Sequence, residues 1–153
     1  MMKQAIVLGL LIGLMAWVSM PGMSFGVGLS AGFDPTGLWL IGAMMELSIT
    51  EIFDLRAQIG FATQEIEGLM LASVSVLPHL SMPPIDPFAG IGVGIALTPP
   101  PFSTGLVMEG SAGVRLVPAD VVSITLQARY LVRWTGGSWT SGPIFEGAIL
   151  IDF

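Results

Sequence analysis

The sequence contains no cysteine at all. Disulfide bonds, cysteine-ligated metals and a thiol nucleophile are therefore excluded, and so is a lipid anchor on an N-terminal cysteine. Lysine and arginine together number only 5 among 153 residues, against 11 aspartates and glutamates, and the formal net charge is −6. A nucleic-acid interface needs a basic stripe of side chains, and this chain has too few cations to form one.

Charge of either sign is scarce. Charged residues make up 10% of the chain and hydrophobic residues 53%, whereas soluble domains carry roughly 25% charged residues. So few charges cannot cover a surface in water, and we expect the chain to face lipid. Its length is sufficient for one domain with a core of its own.

Long apolar runs are also missing beyond the N terminus. Lys3 follows two methionines, residues 5–18 are apolar, and small residues with Pro21 come next. This layout predicts a secretory signal peptide over residues 1–24. An uncleaved anchor is the alternative, but the apolar segment is short for a transmembrane helix, which needs about 20 residues.

The rest of the chain alternates between apolar and polar residues with a period of two, which is typical of β-strands. Turn-forming proline, glycine or aspartate separates the alternating segments, except at Thr50-Glu51. Most segments are close to the roughly 9–11 residues of a tilted membrane strand. Eight strands are predicted, over residues 25–33, 37–48, 52–62, 69–77, 88–98, 105–117, 121–134 and 145–153.

The two faces of the predicted strands differ in character. In the third strand, for example, Leu55 and Ile59 lie on a broad apolar face, and Asp54 and Arg56 lie on the opposite one. A soluble sandwich would turn its charges toward water, but so broad an apolar face favours the reverse order, with lipid outside and charges inside. The charged residues of the inward face are Glu46, Asp54, Arg56, Glu109, Arg115, Arg129, Arg133, Glu146 and Asp152.

A closed barrel satisfies these constraints. Only helices and closed barrels pair every backbone group inside a bilayer. We therefore predict an all-β fold, an eight-stranded antiparallel up-and-down transmembrane β-barrel over residues 25–153. Eight strands leave room only for side chains inside, and buried charges need partners. The nine inward charged residues are accordingly predicted to form an ion-pair network that plugs the lumen, in a structural role rather than as a substrate site.

Three stretches are similar to known proteins. Residues 88–94 resemble the strand of small outer-membrane barrels in which an aromatic residue precedes alternating glycines. Residues 112–115, which lead through a short turn to 126–130, resemble the penultimate hairpin of those barrels. The alternating C-terminal strand ending in Phe153 resembles the signal read by the outer-membrane assembly machinery. The sequence thus resembles the OmpA/OmpX-like outer-membrane β-barrel superfamily over essentially all of residues 25–153.

This resemblance implies a location in the outer membrane of a diderm bacterium. It also implies two partners, the outer-membrane lipid and the assembly machinery, the latter through Phe153. Both termini would lie in the periplasm, with short periplasmic turns and longer external loops. The turns at Thr50-Glu51 and 118–120 match this pattern, whereas residues 78–87 are long for a periplasmic turn.

Two functional hypotheses follow. The first is a structural or surface-interaction role, with outer loops such as residues 135–143 available for contacts and with Trp134 and Trp139 in the interfacial aromatic belt. The second is a carrier or binding barrel for a hydrophobic ligand, such as an acyl chain or lipid. The upper lumen is either a packed core or a ligand cavity, and we favour the packed core. The inward apolar residues in question are Leu38, Leu40, Leu69, Leu71, Val107 and Leu131.

An enzyme is not predicted. His79, the single histidine, falls in a proline-rich segment where we expect it to be solvated, with no Ser–Asp pair facing it. Glu46 and Glu109 have the chemistry of an acid–base pair, but strand assignment does not bring them together. One histidine and scattered carboxylates match no metal-ligand spacing, and no cofactor is implied. An open pore is not expected either, because eight strands leave no channel.

Overall fold

In the computed structural model the described residues are 24–62, 69–98 and 103–153. Each strand pairs antiparallel with the next, and the last pairs with the first, so the sheet closes into a barrel. The predicted all-β, eight-stranded antiparallel barrel is therefore confirmed. The strands are β1 (Ser24–Phe33), β2 (Trp39–Thr50), β3 (Phe53–Ala62), β4 (Met70–Pro78), β5 (Ile85–Thr98), β6 (Ser103–Ala119), β7 (Val122–Thr135) and β8 (Ser138–Asp152).

The predicted signal peptide lies outside the described residues, except for Ser24 at the start of β1. Among the residues that are described, no helix is long and apolar enough to cross a membrane.

The barrel has two ends, which we name by their chain segments. At the termini end, the backbone N–H of Phe153 donates to the Phe25 carbonyl at 2.7 Å, next to the β2–β3, β4–β5 and β6–β7 turns. The β1–β2 and β7–β8 turns lie at the opposite, far end. The last residue of the chain is thus fastened to the first strand.

The turn between β4 and β5 is shorter than the ten residues expected from the sequence. Strand β5 begins at Ile85, and only residues 79–84 connect it to β4. Asp86 pairs in register with Arg115 of β6, so the proline-containing start of β5 belongs to the sheet. The N–H of Leu80 donates to the Pro87 carbonyl at 3.0 Å and closes the turn. Proline lacks a donor but keeps its acceptor, which is all that this contact uses.

The prediction of an outer loop over residues 135–143 is wrong. Strands β7 and β8 continue to Thr135 and Ser138, and only Gly136 and Gly137 connect them. Both glycines have positive φ, +57° and +90°. Two successive positive φ angles match the twist of a two-residue hairpin, and glycine adopts them without steric cost. The Ser, Thr and Gly composition of 138–142 resembles a loop, but these residues pair with β7.

A valine in this turn tests the hairpin. We expect Gly137→Val to lower the free energy of unfolding by about 1–2 kcal/mol, because an L side chain is strained in the left-handed region. Gly142→Val is the matched control, since Gly142 has open space around it and no positive φ. Urea unfolding in lipid vesicles measures both. Equal effects at the two positions would contradict the turn geometry.

The outer surface and the interior of the barrel differ as the alternation predicts. Outward side chains are apolar along most of each strand, with Ile91 at 77% exposure and Leu29 at 72%. Inward side chains include most of the buried charges. Gly92 of β5 lies opposite Glu109 in register, and a Cβ on Gly92 would come within 2.9 Å of the Glu109 side chain. This glycine therefore makes room for a long charged neighbour.

Candidate functional site: a charged lumen and an apolar cup

The centre of the lumen is organised around Arg129 of β7. Its guanidinium forms ion pairs with Glu109 of β6 and with Glu146 of β8, the latter between Nη1 and Oε2 at 3.1 Å. Arg129 Nη2 also donates to Ser73 Oγ of β4 at 3.3 Å. Gln58 of β3 completes this level by donating from Nε2 to Glu146 Oε1. All five side chains are buried, so hydrogen bonds cross the lumen among five strands.

A second group surrounds Arg56 of β3. Arg56 Nε donates to Glu46 Oε1 of β2 at 2.8 Å, and Nη1 donates to Gln127 Oε1 of β7. The Arg56 guanidinium lies 4.9 Å from the ring centre of Phe88, a cation–π distance. Gln127 also donates to Glu146 Oε2 at 2.9 Å. Gln127 therefore links the two arginine groups into one continuous network.

The third arginine of the network lies nearer the termini end. Arg115 Nη2 pairs with Glu46 and with Asp54, at 2.5 Å from Asp54 Oδ2. Asp54 is completely buried, and its Oδ1 lies 3.5 Å from His79 Nε2. The His79 side chain is only 8% exposed, so the expectation of a solvated turn histidine is wrong. The cause is the shortened β4–β5 turn, which places His79 opposite Phe88 in an isolated bridge.

Seven of the nine predicted network residues meet in ion pairs, three arginines against four carboxylates. The structure does not bring the other two into ion pairs with any described residue. Arg133 lies four residues beyond Arg129 toward the far end, and Asp152 lies six residues from Glu146 toward the termini end. At about 3.3 Å per residue these offsets are roughly 13 and 20 Å. Alternation predicts the face of a residue, but its height along the barrel decides its partners.

Several buried polar residues of the lumen were not among the predicted network residues. Asp86, assigned to a turn, is a buried residue of β5 whose Oδ1 accepts a hydrogen bond from the Met82 N–H at 2.7 Å. The neutral members Ser73, Ser75, Gln58 and Gln127 were missed because only charged residues were collected. Their signal was present, since all four share the inward parity of their strands.

Glu46 and Glu109 do not form an acid–base pair. Glu46 is bound by Arg56 and Arg115, whereas Glu109 is bound by Arg129 and by the Ser75 hydroxyl. Each carboxylate is therefore held by different cations. In the described part of the chain, no group of three or more histidines and carboxylates is arranged to hold a metal ion.

Toward the far end the lumen changes from charged to apolar. An open cavity of about 230 Å³, here named the cup, is present at this end. Leu40, Leu71, Val107 and Ile144 belong to one cluster of buried apolar side chains. These side chains form a packed cluster, as we favoured, and the open cavity lies against it. The six predicted apolar residues all line the cup, namely Leu38, Leu40, Leu69, Leu71, Val107 and Leu131.

The cup is separated from the charged network by tight packing. The space bordered by Leu40, Leu71 and Ile144 above and by Arg129 and Glu146 below is only about 10 Å³. That volume is about the minimum for one water molecule. The space between the two halves of the lumen at this level therefore holds no more than about one water molecule.

Polar side chains border the mouth of the cup. Asp34 Oδ1 accepts hydrogen bonds from the Thr36 N–H at 2.9 Å, the Thr36 hydroxyl at 2.6 Å and the Leu38 N–H at 2.9 Å. Desolvation by itself would raise the pKa of Asp34, but these hydrogen bonds outweigh it and lower the pKa below 3.8. Arg133 also lines the mouth, and its Nε donates to Thr140 Oγ1 at 3.3 Å.

Comparison with known proteins gives matches in structure but not in sequence. No family model and no curated protein sequence matches the chain. The N-terminal β-barrel domain of OprF from Pseudomonas aeruginosa matches with a TM-score of 0.70 and 10% identity, over 85% of this chain and 97% of that one. Neisserial surface protein A matches with a TM-score of 0.63 and 11% identity, over 86% and 96% of the two chains.

A third similar structure is that of an enzyme. The outer-membrane enzyme PagL matches with a TM-score of 0.54 and 12% identity, over 84% of this chain and 98% of that one. At such low identities the likeness extends to architecture alone, so the enzymatic activity of PagL is not carried over to this chain. The predicted resemblance is confirmed at that level: this chain has the fold of the small, eight-stranded, OmpA/OmpX-like outer-membrane β-barrels.

Proposed function

We propose that this chain is an outer-membrane β-barrel protein of a diderm bacterium with a structural role in the envelope. The observation that carries the proposal is the inverted distribution of polarity. Seven charged residues are ion-paired inside the barrel, while large apolar side chains such as Ile91 and Leu29 cover its outside. An apolar surface of this extent is suited to lipid rather than water.

Aromatic side chains at the far end support the same placement. Phe33 packs between Trp39 and Phe145, with ring centres 5.7 and 5.9 Å away, and Trp134 lies 6.3 Å from Trp139. All five are exposed on the outside of the barrel. Aromatic girdles of this kind lie at membrane–water interfaces. We therefore place one interface at the level of Phe33, Trp39 and Phe145. Trp139 lies six residues from Phe145 on β8, roughly 20 Å farther along the strand toward the tip of the β7–β8 hairpin.

Phe153 supports a role in biogenesis. It is the terminal residue of the chain given, 77% exposed, and its backbone is hydrogen-bonded to Phe25 of β1. We propose that the C-terminal strand with this outward aromatic ring is the segment that the outer-membrane assembly machinery binds before the barrel closes.

The charged network is proposed to act as a plug. Ion pairs and hydrogen bonds connect its side chains across the lumen from Asp54 to Arg129, and an eight-stranded barrel has no spare width for a channel. We expect the purified protein to show no steady conductance in planar lipid bilayers. A variant with alanine at Glu109, Arg129 and Glu146 removes the central level and should show discrete openings.

Gel mobility before and after heating identifies folded barrels in both preparations, so that a misfolded variant is recognised. Steady ion flow through the folded wild-type protein would contradict the plug. So would a folded triple variant that remains closed.

The cup supports a second function, the binding of a hydrophobic ligand. Its volume of about 230 Å³ exceeds the roughly 150 Å³ apolar cavity that accepts benzene. It is smaller than the roughly 300–1,000 Å³ of pockets that enclose a drug-sized ligand. The cup is therefore suited to the end of one acyl chain, with the rest of the molecule extending through the mouth.

An uncharged chain tests this second function. We expect dodecanol to shift the ¹³C-methyl NMR signals of Leu40 and Leu71 in nanodiscs of zwitterionic lipid. The same addition should leave the outward Leu29 methyl signals unchanged relative to a lipid control. Leu131→Trp fills the cup and should abolish the shifts. If dodecanol leaves Leu40 and Leu71 unaffected, the cup binds no chain.

The single histidine gives no support for a catalytic function. Neither ring nitrogen of His79 has a hydrogen-bond partner in the described structure, so His79 activates no hydroxyl nucleophile in this arrangement.

A further inference from the structure

Arg133 differs from the other arginines of the barrel. Arg56, Arg115 and Arg129 each form an ion pair with a buried carboxylate. Within the described residues Arg133 forms none, and its one hydrogen bond is donated by Nε to Thr140 Oγ1 at 3.3 Å. A guanidinium carries five N–H donors, and the four on the two Nη atoms of Arg133 have no hydrogen-bond partner among the described residues.

The position of Arg133 places this cation, which has no ion-pair partner in the described part of the chain, beside the apolar cup. In the β6–β7 register Arg133 lies directly opposite Val107, whose side chain is buried in the cup wall. Leu131, two residues earlier on the same face of β7, also lines the cup. One strand therefore presents an apolar side chain lower in the cup and a cationic side chain at its mouth.

The carboxylate at the mouth does not neutralise Arg133 by direct contact. Asp34 lines the same cavity, but its Oδ1 is occupied by the two donors of Thr36 and the N–H of Leu38. Its role is to hold the β1–β2 turn. No ion pair joins Asp34 and Arg133, so the guanidinium remains the group that a ligand at the mouth would meet.

We propose that the cup binds a single-chain anionic amphiphile, with its alkyl end among Leu40 and Leu71 and its carboxylate or phosphate head on Arg133. This assignment rests on the proposed hydrophobic-ligand function of the cup and specifies the class of ligand. The planar guanidinium matches both anions, because its parallel N–H groups donate to two oxygens at once. An uncharged chain of equal length makes the apolar contacts alone and binds more weakly.

The experiment compares dodecanoate, dodecyl phosphate and dodecanol in nanodiscs of zwitterionic lipid, read from the methyl signals of Leu40 and Leu71. We expect at least one anion to bind the wild-type protein roughly tenfold more tightly than dodecanol, the lower range for hydrogen bonds to charged groups. The two anions show whether a carboxylate or a phosphate is preferred. Arg133→Gln should remove the advantage, so that anions and dodecanol bind this variant with similar affinities, and Arg133→Lys should restore part of it.

Asp34→Asn is the matched control, since it alters charge at the same mouth and should not reduce anion binding. Equal affinities of anions and dodecanol for the wild-type protein would overturn the proposal, and so would an anion preference that survives Arg133→Gln. In both cases dodecanol binding would still support the cup. If none of the three molecules shifts Leu40 and Leu71, the cup function fails, and the assignment of Arg133 fails with it.

Discussion

Arg129→Gln is expected to lower the free energy of unfolding by about 3–5 kcal/mol, the range for removing one partner of a buried ion pair. The reason is that Glu109 and Glu146 share this one arginine. Without it, two carboxylates remain buried in the lumen, and their remaining donors are the neutral side chains of Ser73, Ser75, Gln58 and Gln127. Urea titration of the protein folded in lipid vesicles, followed by tryptophan fluorescence, measures the loss.

Arg133→Gln is the matched control for this substitution. It removes the same charge from the same face of the same strand, but Arg133 has no ion-pair partner among the described residues. We expect a change within about 0.5 kcal/mol, as for ordinary surface positions. Adding Glu109→Gln to Arg129→Gln should recover part of the lost stability, because one unpaired charge is then gone. Similar small losses for Arg129→Gln and Arg133→Gln would refute the network.

The second large effect concerns the outside of the barrel. Ile91 is 77% exposed and lies midway along β5. If this surface is embedded in lipid, Ile91→Arg should destabilise the barrel by about 2–4 kcal/mol, the range for arginine at the bilayer midplane. On a surface in water the same change would stay within about 0.5 kcal/mol. Urea unfolding in vesicles again gives the difference.

Ile52→Arg provides the comparison, because Ile52 is a 54% exposed apolar residue in the β2–β3 turn at the termini end. Near the interface an arginine costs about 0–1 kcal/mol. A depth-dependent difference between the two positions identifies the membrane-embedded band. Equal, negligible effects of arginine at Ile91 and Ile52 would mean that the apolar exterior does not contact lipid. That result would contradict the proposed location in the outer membrane.

The alternation of the sequence was sufficient to predict the fold and the face of the barrel on which the strand side chains lie. In β3, Asp54 and Arg56 are buried in the lumen while the odd-numbered Ile59 is exposed, as predicted. This success has a local cause. Side chains alternate with a period of two along any strand, so the face of a residue depends only on its neighbours in sequence.

The ends of the strands were less predictable, because composition suggests a loop wherever turn-forming residues accumulate. Residues 138–142 and the proline-containing start of β5 at Ile85 both belong to strands. Their pairing partners on β7 and β6 stabilise an extended backbone that local composition disfavours. The burial of the His79 side chain was not predicted for the same reason, because that burial depends on where β5 begins.

The sequence by itself determined that this chain is an eight-stranded barrel with an apolar exterior, charges within and six apolar residues near one end. The closed tertiary structure decided which of these side chains meet. It joined Arg129 to Glu109 and Glu146, left Arg133 at the mouth of the cup, and opened a cavity of about 230 Å³ above the charged network. Strand stagger sets the height of each residue around the barrel. A cavity is the space left after every inward side chain is placed, so neither property is contained in any single strand.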